Sequence, residues 1–582
     1  MWKNETEREE GLEKGVFAVT VFENYKYERP DVTKYEEAFD KAFDAFKNAE
    51  TLDKAVHAVE EINRMRMHLD TMFRLIEIRH TINTEDPFYK DENDFADETT
   101  PIFEGKTTEF YKLLLTSPFR AELEKRWGRQ LFALAEAQLK SFSPEVIPLM
   151  QQENKWASKY TKLIAAAKIP FQGEERTLAQ LVPFQKSPDR EVRRAALKAY
   201  FGYFADHEQE FDNIYDQLVK IRTEIAHKLG FDNYADLSYY RMARIGYDRD
   251  MVKNYREQIR KYVVPAANRL YERQRERIGV EQLKFYDVPF QFTTGNAAPK
   301  GTAEWIIENG KKMYAELSPE TGEFFQFMLD HHLMDLLATK GKAGGGYCEY
   351  IFDYESPFIF SNFNGTSEDI DVLTHEAGHA FQVYTTHSDI PEYRWPTFEG
   401  AEIHSMSMEF FAWPWMNLFF KEDADKRRFS HLSDALLFLP YGVSVDEFQH
   451  VVYEHPEMTP AERKQVWKAI EKKYLPYRDY DGFEFLENGG FWQRQGHIYE
   501  SPFYYIDYTL AQVCAFEFWK KSQEDYDAAW KDYLNLCKQG GSKSFLELVR
   551  AAGLESPFKE GCVELIVKAV TDWLDQVDDS SY

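Results

Sequence analysis

The pentapeptide His375-Glu376-Ala377-Gly378-His379 constrains this chain more than any other stretch, because it asks for a helix carrying two imidazoles and a carboxylate on one turn. Side chains four apart on an α-helix share a face, so both rings reach one ion while Glu376 projects beside an open coordination position. The preceding residues suit a helix start. Thr366 and Ser367 offer an N-cap, Glu368, Asp369 and Asp371 put carboxylates in the first turn, and Ile370, Val372 and Leu373 follow at helical spacing.

A catalytic zinc takes three protein donors and keeps a fourth position open, so a further ligand has to come from elsewhere. In the metzincin pattern a glycine and a third histidine follow at fixed offsets; here Gln382 and Thr385 stand in those places, which excludes that class. His387 lies two helical turns beyond His379, too far to close on the same ion without a sharp bend. The stretch from Phe398 to Phe411 reads as a second helix, on which Glu402 and Glu409 share one face. Glu402 is the favoured third ligand with Glu409 beside it in support, while Glu399 and His404 compete from helical geometry alone. Asp371, one turn before His375, is a candidate acceptor for that ring's second nitrogen, and Glu409 competes for this duty too.

With Glu402 some two dozen residues on, the pentapeptide resembles the zinc site of the M3 metallopeptidases, the thimet oligopeptidase and oligoendopeptidase F group. The likeness extends to Gly489-Gly490-Phe491-Trp492, His497-Ile498-Tyr499 and the run Pro502 to Gln512, to Asn362-Phe363-Asn364-Gly365-Thr366, and to Val445-Asp446-Glu447-Phe448-Gln449. It covers most of the chain, from about Arg29 to Val567, and points to the oligoendopeptidase F branch. The resemblance implies a mainly α fold of the Glu-zincin type, a large helical ellipsoid split by a deep substrate channel with a small β-sheet beside the zinc helix. It implies one zinc per chain on His375, His379 and Glu402, and Glu376 as the general base. His497 and Tyr508, with Tyr505 close by, become the donors to the reacting carbonyl, although Tyr499 and Tyr504 can take the same parts. Internal cleavage of short, unfolded oligopeptides is the implied activity.

The rest of the chain bounds this reading. The division expected is an N-terminal extension over 1–20, a helical region over 21–185 forming one wall of the channel, and a catalytic helical region over 186–582. Tyr35, Phe39, Phe43 and Phe46 fall on one helical stripe, and Leu52, Val56, Val59, Ile62, Leu69 and Met72 on the next. Ser117-Pro118, Ser143-Pro144 and Ser187-Pro188 each read as an N-cap followed by proline at the first helical position, and Gly230 as a helix stop. A hairpin is expected from Tyr347–Phe352, turned over Asp353–Pro357 and returning as Phe358–Phe363; its edge can pair with an extended peptide or serve only to position the zinc helix.

A formal charge of −28, from 71 basic and 99 acidic residues, repels nucleic acid over most of the surface. Cys348, Cys514, Cys537 and Cys562 form no paired metal pattern and are expected as free thiols in a reducing compartment. The charged start Met1 to Glu7 does not read as a signal peptide, and no apolar run of about eighteen residues spans a bilayer; a cytoplasmic protein binding neither membrane nor nucleic acid is expected. Composition leaves oligomeric state and side-chain preference open. The rival enzyme is a zinc dipeptidyl carboxypeptidase or carboxypeptidase on a related scaffold. It needs a cation to clamp the substrate's terminal carboxylate, and Arg394 and Arg494 lie near the motifs, where an arginine is more often an ion-pair partner. A non-catalytic peptide-binding helical protein is the third reading, and the complete set of ligands and base argues against it.

Overall fold

The computed structural model describes residues 20–582, so the expected extension over 1–20 lies almost wholly outside the described residues. Helix accounts for 71% of the structure. Helices α1 (Val32–Lys47) and α2 (Leu52–Ile82) start where Asp31 and Thr51 accept the N–H of Lys34 and Lys54, at 3.2 and 3.3 Å. Their apolar stripes face inward as the periodicity predicts, burying Phe39, Phe43 and Phe46 on α1 and Val56, Val59 and Ile62 on α2. With α3 (Pro87–Thr116) and α4 (Arg129–Ser141) they close a smaller core that Ile390 and Tyr393 also enter. The main core runs through the remainder of the chain.

Of the three Ser-Pro pairs, Ser143-Pro144 opens a helical turn leading into α5 (Ile147–Ala165). The other two stand earlier than a cap. Those helices begin at Arg120 and Arg190, because Ser117 and Ser187 close turns by accepting the N–H of Phe119 and Asp189 at 3.2 Å. Asp189, a carboxylate two residues on, then caps by accepting the Glu191 N–H at 2.9 Å. Gly230 ends α6 (Glu208–Lys228) as expected. With φ of +84° it lets its own N–H reach the His227 carbonyl and the Phe231 N–H reach that of Ala226, at 3.1 and 2.9 Å.

A two-stranded ribbon joins β1 (Ile169–Phe171) to β2 (Glu174–Arg176). The other sheet has three strands, β3 (Met334–Leu337), β4 (Tyr347–Ile351) and β5 (Ser356–Phe363), in the order β3-β5-β4. The hairpin forms with Tyr347 opposite Phe360 and Ile351 opposite Ser356. Its return strand begins at Ser356, earlier than expected, because a tight turn over Phe352–Tyr354 and a left-handed Glu355 reverse the chain quickly. Strand β3, which no alternation in the sequence announces, pairs parallel to β5 and makes it the central strand, buried along almost its whole length.

From β5 the chain enters α7 (Glu368–Thr385), with α8 (Phe398–Phe411), α9 (Ala424–Glu454) and α10 (Tyr505–Glu524) following. The α7 start is tied by Asp369 rather than by Thr366 or Ser367: its carboxylate accepts the N–H of Asn364 and of Gly365, each at 2.8 Å. Helix α8 packs between α7 and α10, which sets the pentapeptide on one side of it and the His497–Tyr508 segment on the other. Among the described residues no helix is long and apolar enough to cross a membrane, and the four cysteines are unpaired.

Candidate metal centre and active site

Gly378 decides how closely α7 approaches α8. A Cβ at this position would stand 2.7 Å from the His404 carbonyl oxygen and 2.7 Å from Ser405 Cα, so any side chain would push the helices apart. Across this contact Glu402 brings Oε2 to 3.2 Å from His375 Nε2 and 3.3 Å from His379 Nε2. The three ligand atoms lie within 4.8 Å of one another. Donors bound tetrahedrally at 2.0–2.1 Å from a zinc stand about 3.3–3.4 Å apart. Two imidazoles and one carboxylate at this spacing fit such an ion, and Glu376, 6% exposed, leaves its buried Oε2 without a hydrogen-bond partner beside them.

The His375 ring is oriented by a chain of hydrogen bonds whose direction is set at its far end. The Trp413 indole N–H, a donor only, gives to His431 Nδ1 at 2.8 Å. His431 must then donate from Nε2 to Glu409 Oε2, at 2.8 Å. The other oxygen, Oε1, accepts from His375 Nδ1 at 2.7 Å, which leaves the Nε2 lone pair directed at the cage. Burial pulls the His375 pKa down, but Glu402 and Glu409 outweigh it and hold the pKa well above the usual imidazole value. Burial likewise raises Glu402 and Glu409, and their histidine partners overcome it, leaving Glu402 well below the carboxylate range and Glu409 at about 2. Glu376 is raised, chiefly by burial against the opposing pull of His375 and His379.

Asp371 does not orient His375. It is on the same helix one turn earlier, but its carboxylate is taken by Arg427 from α9. The rival ligands also point elsewhere: Glu399 accepts the Tyr247 hydroxyl at 3.0 Å, and His404 bonds the Gly400 carbonyl at 2.9 Å. His387 lies beyond the end of α7. Arg394 forms no ion pair among the described residues; it donates to the carbonyls of Val383 and Thr386 at the C-terminus of α7 and stacks 4.4 Å over Tyr350.

The segment before α10 faces the same carboxylate. Tyr504 donates to Glu402 Oε1, while Ser405 donates to Oε2 at 2.8 Å, so both oxygens of Glu402 are held. Gln495 accepts the Tyr441 hydroxyl through Oε1 and donates through Nε2 to His497 Nδ1, both at 2.8 Å. His497 is thereby a neutral ring whose Nε2–H points outward, 3.2 Å from the Tyr508 hydroxyl. Burial, only partly offset by Glu402, brings its pKa down to about 4. Tyr505 packs with its ring 5.0 Å from His497, and Tyr499 is fully buried against Tyr160 and Trp492, away from this group.

Comparison with known proteins decides the family. The description "Peptidase family M3" matches residues 184–567, and "Peptidase M3 N-terminal domain" matches residues 22–142. The chain belongs to peptidase family M3. It is 62% identical to a solved structure described as PZ peptidase A with an inhibitor, over 96% of this chain and 100% of that one, with a TM-score of 0.95. A second crystal structure, provisionally named oligoendopeptidase F, is 61% identical over 97% of this chain and 100% of its own, with a TM-score of 0.96. Oligopeptidase PepF of Bacillus subtilis is 22% identical over 94% of this chain and 86% of its own length.

M3 peptidases are metallopeptidases, and the His375–His379–Glu402 cage is the candidate site for the metal in this one. Sequence reasoning did not find Ser405, Gln495, His431 or Trp413. Trp413 and His431 sit beyond α8 and on α9 at no motif spacing from the pentapeptide, and only packing brings them to Glu409.

Proposed function

We propose that this M3 peptidase is a zinc-dependent endopeptidase that cuts internal bonds of short, unfolded oligopeptides. One observation carries the reading: a carboxylate oxygen from α8 held 3.2 and 3.3 Å from two imidazole nitrogens of α7, with the unpaired Glu376 beside them. Zinc held by His375, His379 and Glu402 would supply Lewis-acid polarisation of the scissile carbonyl and lower the pKa of a water. Glu376 takes the water's proton and returns it to the departing amine. The fixed Nε2–H of His497 and the Tyr508 hydroxyl donate to the carbonyl oxygen as negative charge develops on it, a kind of contact worth on the order of 3 kcal/mol per donor in a dry cleft. Tyr505 packs this pair into place. Glu409, oriented by His431, keeps His375 in the tautomer that binds metal, and Tyr504 keeps Glu402 turned toward the cage.

In this reading residues 21–185 form one wall of a deep channel and 186–582 the catalytic region. The separate core closed by α1 to α4 supports an N-terminal wall. A narrow channel between the walls admits extended peptides and excludes folded proteins. The relatives' names, oligopeptidase and oligoendopeptidase, support the substrate class.

The test is a pool of peptides blocked at both ends, incubated with and without a chelator and mapped by mass spectrometry. Internal cleavage that the chelator stops and zinc restores is expected. Products that arise only from peptides with free C-termini would favour a carboxypeptidase, and cleavage indifferent to chelation would end the zinc mechanism.

A further inference from the structure

Arg494 closes the short helical turn Phe491–Arg494, three residues before His497. Arginines nearby are neutralised: Arg478 meets Glu471 at 2.7 Å, Arg222 meets Glu153 at 2.6 Å, and Arg244 meets Asp507 at 3.1 Å. Arg494 makes neither a hydrogen bond nor an ion pair with any described residue.

Its surroundings are aromatic. The guanidinium lies 5.1 Å from the centre of the Phe491 ring and 6.0 Å from that of Tyr200. Tyr441, Tyr505 and Tyr160 are further phenols close enough to interact with its charge, and Arg478, already paired, is a neighbouring cation. Flanked by the Phe491 and Tyr200 rings, the residue is nonetheless exposed, so its guanidinium faces solvent from a ring-lined recess. That recess adjoins the reaction centre. The Tyr505 ring stands 5.0 Å from His497 and 5.7 Å from Tyr441, and Tyr441 also bonds Gln495, the residue between Arg494 and Gly496.

A guanidinium fork matches a carboxylate through two parallel N–H···O bonds, and aromatic walls strengthen such a pair by excluding water. In a chain of net charge −28, an exposed cation that forms no ion pair with a described residue is also a local reversal of the field an incoming anionic group meets. We propose that Arg494 forms a carboxylate-recognising subsite on the His497 side of the scissile bond, taking the C-terminal carboxylate or an acidic side chain of the bound peptide. The proposal rests on the endopeptidase reading and names a determinant of which peptides it prefers.

The test compares matched peptides of graded length in three forms: free C-terminal acid, C-terminal amide, and amide with one internal Gln replaced by Glu. Binding is measured on the Glu376→Gln background by fluorescence anisotropy, and kcat and KM on the active enzyme. At the length that reaches the recess, the acid or the Glu peptide should bind at least tenfold tighter than the neutral amide, as a charged hydrogen-bonded pair requires. Whichever is favoured identifies the source of the carboxylate. Arg494→Met should erase that preference through KM and leave the neutral peptide unchanged; Arg494→Lys should restore part of it. The proposal is overturned if no length shows a preference for the charged peptide, or if Arg494→Met lowers kcat on charged and neutral peptides alike, which would make it a support for His497. If wild type binds charged peptides preferentially but cuts none, the endopeptidase reading fails and the subsite stands.

Discussion

At His375 the two ring nitrogens face opposite tasks, and the Trp413–His431–Glu409 chain assigns them. Replacing His431 with Leu leaves Glu409 with one partner and His375 free to adopt the other tautomer. Zinc affinity, measured by competition with a chromogenic chelator, should fall by about 10–100-fold, while His431→Gln, which keeps a donor to Glu409, should recover much of it. Equal affinity in both variants would remove His431 from the centre. Glu376→Gln should hold zinc as wild type does but lose about 10²–10⁴-fold in kcat, and retained turnover would deny it the role of base. At this scale the sequence was most informative where chemistry and spacing coincide, as in the pentapeptide. It was least informative about Asp371, because one turn of helix brings a carboxylate near a ring without saying that Arg427 will claim it.

Among the elements, the meeting of α7 and α8 is the step on which the site depends. Gly378→Ala would place its methyl 2.7 Å from backbone atoms of α8, so the helices must separate or the variant must strain. A loss of about 1–3 kcal/mol in stability is expected from chemical denaturation, together with weakened zinc retention after dialysis. Unchanged zinc content would show that Glu402 can follow α7 across the gap. The helices and their stripes were legible because their period repeats over many residues. Strand β3 was not, because four residues carry too little alternation, and the burial of β5 on both faces erased the pattern that would have marked it as central.

Across the whole molecule, buried ion pairs tie distant segments and set the response to acid. Glu153 on α5 is gripped by Arg222 on α6 at 2.6 Å and Arg241 at 2.9 Å. Burial raises its pKa, the two guanidinium groups reverse this, and it settles at about 2. A carboxylate depressed on folding stabilises the protein above its unfolded pKa, here 4.5, and that contribution fades as pH falls toward 2. Unfolding titrations should therefore show wild type losing on the order of 3 kcal/mol more than Glu153→Gln across this interval, and parallel curves would show the pair to be idle. The fold's charge class and helical character were legible from composition, whereas the pairing of Glu153 with two arginines from elsewhere in the chain was not. The account as a whole turns on one ion in one cage. Anomalous diffraction at the zinc edge from crystals of the purified protein should give a single peak per chain, about 2.0–2.2 Å from His375 Nε2, His379 Nε2 and Glu402 Oε2. A zinc bound at other residues, or none retained under conditions that support cleavage, would contradict it.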